Sequence, residues 1–165
     1  MDKRFNKVKK LLSLLEMKIS ISDNRNTSTL YYPLPNNRSK IVFQYFGRDS
    51  LLFKEDKEIN TIKLNACSFA LHEIGHYIIT PKQRRRKKDY GIPANAKNNF
   101  KYDLEEVKAT MIENELRRLF GFSFKKDLFK GSNVDRDFIL DNKKKIMQWW
   151  EAEGKIITKT YADLV

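Results

Sequence analysis

Apolar residues recur at helical spacing at the start of the chain. Phe5, Val8, Leu11, Leu12 and Leu15 share one face of residues 3–18, with lysines on the other, and predict an amphipathic helix. Residues 19–38 are rich in Ser, Asn, Asp and Pro around a short Leu30-Tyr31-Tyr32 run, which reads as loop with one short strand. Residues 40–46 are β-branched and aromatic and predict a strand, closed by a turn at 47–50. One or two short strands are expected in 51–63. Residues 64–80 form a continuous apolar stretch that Pro81 stops, which predicts a buried helix. A basic run and a turn follow, then loop over 92–101. Leu104, Val107, Met111, Ile112, Leu116, Leu119 and Phe120 give a strong helix over 103–120, ended by Gly121. Phe138, Ile139, Ile146, Trp149 and Trp150 give another over 134–153, ended by Gly154, with one tryptophan facing the core and one the surface. The tail from Lys155 is expected as a short strand or packed loop. Several helices with a few short strands make an α+β fold, a single domain over 1–165.

Charge changes this picture most. Thirty-three Lys and Arg against 21 Asp and Glu leave +12, which favours an anionic partner. Hydrophobic residues at 41% suffice for a core and exclude a disordered polymer. Cys67 is the only cysteine, so no intrachain disulfide forms; it reads as a core residue in a reducing compartment. No apolar run reaches the ~18–20 residues of a membrane span. The leucines at 11–15 are too short and too interrupted for a secretory signal. The expectation is a cytoplasmic protein without a membrane partner.

The candidate chemistry lies in His72-Glu73-Ile74-Gly75-His76, an HExxH motif on the predicted helix 64–80. Residues four apart stack on one helix face, so two imidazoles can address one cation from a rigid base. Glu73 sits about 100° around the helix, where it can handle a proton, and is the catalytic candidate. These are the only two histidines in the chain, so a third ligand must be a carboxylate. Glu105 and Glu106 open the next helix. Glu106 also fits a capping box with Asp103 as N-cap. Glu105 falls between Ile112 and Leu116 on the apolar side and Glu106 at its edge, so helical geometry leaves both open.

Lys82, Arg84, Arg85, Arg86, Lys87 and Lys88 form a basic run directly after the motif. It reads either as a solvated surface loop or, as the +12 balance favours, as a docking patch for an acidic protein or a phosphate backbone, with Arg84, Arg85 and Arg86 as partner-binding candidates. Tyr77 and Tyr90 are candidates to border the pocket.

The stretch SFALHEIGHYIITPKQRRRKKDYG, with EEVKAT and GFSF following in order, resembles the elongation factor P hydroxylase family. Residues 66–124 carry most of this resemblance. Residues 31–43 and the late helix to Glu153-Gly154 are more weakly similar. The family's pattern implies a mononuclear non-haem iron held by His72, His76 and Glu106, the last taken from its E-V-K segment. It implies oxygen-dependent hydroxylation of a modified lysine on an acidic translation factor. The chain departs from the pattern at Ile92-Pro93-Ala94, where the family has aromatics, at Ala109, where it has Pro, and in an apparent insertion over 44–63. These departures touch the expected substrate rim more than the ligands. Fe(II) is the expected cation and Zn(II) the alternative. Two other functions fit the same residues: a zinc metallopeptidase in which Glu73 activates water, and a basic RNA- or ribosome-binding module carrying a metal.

Overall fold

The computed structural model describes residues 3–21, 30–36, 38–43, 70–93, 96 and 99–165. The expected strands in 51–63, Cys67, Ala94 and the first part of the helix expected from residue 64 lie outside the described residues.

Helix α1, Lys3–Leu14, buries Val8, Leu11 and Leu12, the stripe its spacing predicts. It ends four residues earlier than the apolar pattern suggests. Glu16 adopts φ 53°, which turns the chain into strand β1, Met17–Ile21. Strands β2, Leu30–Pro33, and β3, Ser39–Phe43, complete a three-stranded sheet of order β1-β3-β2. β1 runs parallel to β3, with Met17 opposite Ser39, and β2 runs antiparallel to it, with Tyr31 opposite Ile41. The segment expected as loop from residue 19 thus begins inside a strand.

The motif helix, α2, is described over residues 70–79 and stops before Pro81. A one-turn helix α3, Lys82–Arg85, and a 3-10 turn, Lys88–Gly91, carry the basic run. Helix α4, Phe100–Phe120, is the spine of the molecule. Its Val107, Met111, Ile112, Leu116 and Phe120 are buried in one cluster with α1, α2, Ile146 and Trp150. Gly121, at φ 83°, caps it in the left-handed conformation where only glycine is unstrained. At the other end the N-cap is Asn99, whose side chain accepts from the backbone N–H of Lys101. Asp103 is therefore not the cap, and Glu106 sits well inside the helix rather than in a capping box.

Helix α5, Arg136–Trp149, passes through a π turn, Trp150–Gly154, into a last helix α6, Lys155–Ala162. The tail is helical, not strand or loop, and Gly154 does not end the helix. Its φ of −58° is ordinary helix. A β-carbon there would stand 2.6 Å from the Trp150 ring and 2.8 Å from that of Trp149. The glycine makes room for two indoles. Trp150 is buried, while Trp149 is half-buried beneath the Lys108 ammonium, 4.4 Å from its ring centre. Among the described residues no helix is long and apolar enough to cross a membrane.

Candidate metal centre

Helices α2 and α4 approach each other more closely than side chains ordinarily allow. Gly75 faces Ala109, and a β-carbon on Gly75 would lie 2.6 Å from the Ala109 carbonyl oxygen. This contact lets His72 and His76 on α2 meet a carboxylate on α4. The His72 and His76 Nε2 atoms are 3.2 Å apart. Glu106 Oε2 lies 3.0 Å from His76 Nε2, and Oε1 lies 3.2 Å from His72 Nε2. Three donors held about 2.0–2.2 Å from one cation stand roughly 3.0–3.4 Å apart, so the residues fit a divalent ion. His72, His76 and Glu106 form a group able to hold a metal ion. Hard carboxylate plus imidazole suits Fe(II), Mn(II) or Zn(II) alike.

Glu105 and Glu106, both open on the helical wheel, point in different directions, and it is Glu106 that lies with the histidines. Glu105 turns away and takes a bidentate ion pair from Arg84, whose Nη2 donates to Oε2 at 2.8 Å. Arg84 also donates from Nε to the Tyr90 carbonyl at 2.9 Å. One carboxylate thus ties the basic turn to α4 while its neighbour faces the histidines.

Glu113 is a site residue that the sequence reading missed. Its Oε2 lies 3.1 Å from His72 Nδ1, and its Oε1 accepts from Arg117 Nε at 2.8 Å. A carboxylate behind a ligating imidazole fixes the ring and raises its basicity. The available signal was the spacing: Glu106, Thr110 and Glu113 share one face of α4. Replacing Glu113 by Gln keeps the fold and lowers metal affinity about 10–100-fold. Metal titration of the purified variant checks this, and unchanged affinity would remove Glu113 from the centre.

Behind His76 the turn Asp89-Tyr90-Gly91 is left-handed at three successive residues, φ 46°, 55° and 72°. Such backbone costs of the order of 1–3 kcal/mol at each non-glycine residue, and specific contacts hold it. Asp89 Oδ1 accepts from the Tyr31 backbone N–H at 2.9 Å. The buried Tyr90 ring stacks on Tyr31 with centroids 4.0 Å apart and lies 5.7 Å from His76. Its hydroxyl donates to the Glu73 carbonyl at 3.0 Å. Tyr90 is therefore a buttress of the motif helix. Neither it nor Tyr77 lines the cleft of about 510 Å³ beside Glu106, which Ile92, Tyr102, Asp103 and Val134 border.

Glu73 is buried and stands outside the three-residue group. Burial pushes its carboxyl above the ordinary carboxylate range. Burial also opposes charge on Glu106, but hydrogen bonds from His72 and His76 outweigh it and hold that carboxyl well below the usual range. For His72 burial disfavours the imidazolium, yet hydrogen bonds to Glu106 and Glu113 push it up to about 10.

This sets the sign of a pH dependence. A folded pKa raised above the ordinary 6.5 means that the His72 proton stabilises the metal-free fold fully below that value. The contribution is lost as pH rises through about 10. A cation must displace this proton. Between pH 6.5 and 8.5 metal affinity should therefore rise about tenfold per pH unit, with about one proton released. Calorimetry in buffers of different ionisation enthalpy measures both, and a flat profile would show His72 already neutral.

The basic run, expected as one docking patch beside the metal, divides in the structure. Arg84 is committed to Glu105 and Tyr90. Arg85 donates from Nε to the Thr80 carbonyl at 2.9 Å and lies over the Tyr77 ring at 4.1 Å. Arg86 is exposed. None of the three lines the cleft beside Glu106, although Ile92, at the expected substrate rim, does.

No family model, curated protein or solved structure matches the chain.

Proposed function

We propose that this chain is a metal-dependent enzyme of the two-histidine-one-carboxylate type, a non-haem iron hydroxylase resembling the elongation factor P hydroxylases. The observation that carries this reading is the convergence of the His72 and His76 Nε2 atoms on the Glu106 carboxylate, with His72 24% and Glu106 26% exposed. Three protein donors on one side leave coordination positions for other ligands, as a catalytic site needs and a purely structural one does not. The resemblance across residues 66–124 favours iron and a lysine-type side chain on an acidic translation-related protein. Fe(II) bound there would supply oxygen activation.

The protein groups then have separate tasks. His72 and His76 hold the cation, Glu106 balances its charge, and Glu113 fixes the His72 ring. Glu73, carrying a proton more readily than an ordinary carboxylate, exchanges protons with whatever occupies the open side. Ile92, Tyr102 and Val134 offer apolar walls to the alkyl part of a side chain in the adjoining cleft. The buried Glu73, whose carboxylate accepts a proton more readily than an ordinary one, also fits the second reading, a zinc peptidase whose glutamate activates water.

Metal analysis after anaerobic purification, paired with oxygen-consumption and protease assays, separates the two. Iron with oxygen consumption on an added acidic translation factor supports the hydroxylase. Zinc with peptide cleavage overturns it. Glu73→Gln should retain metal and lose either activity by about 100-fold or more. A folded Glu73→Gln protein without metal would make Glu73 a ligand.

A further inference from the structure

A cleft of about 710 Å³, separate from the one beside Glu106, is lined by Arg38, Lys82, Arg85 and Arg86 together with Tyr31, Tyr77 and the Pro33–Asn36 loop. Among the described residues no acidic group lines it. None of the four cations has a carboxylate partner among the described residues. Four positive charges therefore face one space with no counter-ion among the described residues, and a cleft between low-dielectric walls focuses their field.

Two of the four are held in place without being neutralised. Arg85 donates to the Thr80 carbonyl at 2.9 Å and the Ile78 carbonyl at 3.4 Å, at the end of α2. Arg38 donates from Nε to the Pro35 carbonyl at 3.3 Å. Neutral acceptors fix the Arg85 guanidinium and tether the exposed Arg38, and leave the charge of both for an outside anion. A fixed planar fork suits tetrahedral oxyanions.

The aromatic residues of the cleft are already engaged. Tyr31 is buried against Tyr90, and Arg85 lies over the Tyr77 ring. Among the described lining residues no free ring offers a base a stacking platform, so the cleft is equipped for backbone contacts rather than base reading. Evenly repeated phosphates match several cations along one cleft better than the scattered carboxylates of a polypeptide. The net charge of +12 adds long-range attraction for the same polyanion.

We propose that this cleft binds the phosphate backbone of RNA independently of base sequence. The inference stands apart from the metal reading, since none of the lining residues is a metal ligand.

Fluorescence anisotropy of the full chain with labelled single-stranded RNA of mixed sequence tests this, over about 50–200 mM salt. The test variant is Lys82→Ala with Arg86→Ala, both exposed side chains. The control is Lys143→Ala with Lys144→Ala on α5, also exposed and equal in charge change. The cleft pair should weaken binding about tenfold and make the slope of log K against log salt shallower by about 1.4, two contacts' worth. The control pair should cost less than about twofold, and a second RNA sequence should bind like the first. Circular dichroism confirms that both variants fold. Equal losses in the two pairs would overturn the proposal, because net charge alone would then explain binding. So would absence of RNA binding at the lowest salt, or a marked preference between the two sequences. Tighter binding of polyglutamate than of RNA at matched charge would assign the cleft to an acidic protein instead.

Discussion

Replacing Glu106 by Ala should abolish metal binding while leaving a folded protein, and replacing Glu105 by Ala should do the reverse. Glu106 supplies the only carboxylate facing both histidine Nε2 atoms among the described residues. Two imidazoles alone make a poor cradle, so the loss should exceed the 10–100-fold that outer partners typically command. Glu105 touches no ligand. Its removal leaves the half-buried Arg84 without a counter-charge and frees the basic turn from α4. The pair lies between surface and buried limits, so the cost is about 1–3 kcal/mol. For a chain of this size that lowers the melting temperature by roughly 3–10 °C. Metal titration and thermal melts of the two variants give a crossed pattern. Metal loss in Glu105→Ala with retention in Glu106→Ala would exchange their roles.

Gly75→Ala is the second large effect, although it touches no ligand. The added methyl would stand 2.6 Å from the Ala109 carbonyl oxygen and 3.2 Å from its Cα and carbonyl carbon. All three obstacles are backbone in mid-helix, so no rotamer change relieves them. The helices must part by something near 1 Å. Overpacking of this kind costs about 1–3 kcal/mol or more, and the better helix propensity of alanine returns at most about 1 kcal/mol. The larger consequence falls on the centre, because the donors sit on opposite sides of that contact. Spreading the histidine-to-Glu106 separations from 3.0–3.2 Å toward about 4 Å takes them outside the roughly 3.0–3.4 Å that neighbouring ligands of one cation keep. Expected results are a melting temperature lower by several degrees and metal affinity down at least about tenfold. Unchanged affinity would mean that the helices are not held by this contact.

The two histidines were legible because a single helix sets their geometry, and helix periodicity is local. The carboxylates were less so. The distinction between Glu105 and Glu106 depends on where α4 starts. The sequence suggested Asp103 as its cap, but Asn99 takes that role and places both glutamates inside the helix. It depends further on Arg84, 21 residues away, whose pairing with Glu105 no local pattern reveals. Glu113 escaped for the same reason: its spacing from Glu106 was visible, but its partner His72 is 41 residues distant. Gly121 ended its helix as its position implied. Gly154 did not, because the need of two indoles for space outweighed its usual role as a terminator. β1 hid behind an apolar stripe that continued to Leu15, and only the left-handed Glu16 breaks it.

The order of the ligands along the chain also has a meaning in time. His72 and His76 precede Glu106 by about 30 residues, and Glu113 by more. At about 5–20 residues per second, a growing chain carries a bare histidine pair for a few seconds before its carboxylates leave the ribosome. Two imidazoles without a hard oxygen ligand follow the general affinity series and prefer copper or zinc over iron. In the centre proposed above, selection for a cation other than copper or zinc can begin only when α4 brings Glu106 to the histidine pair.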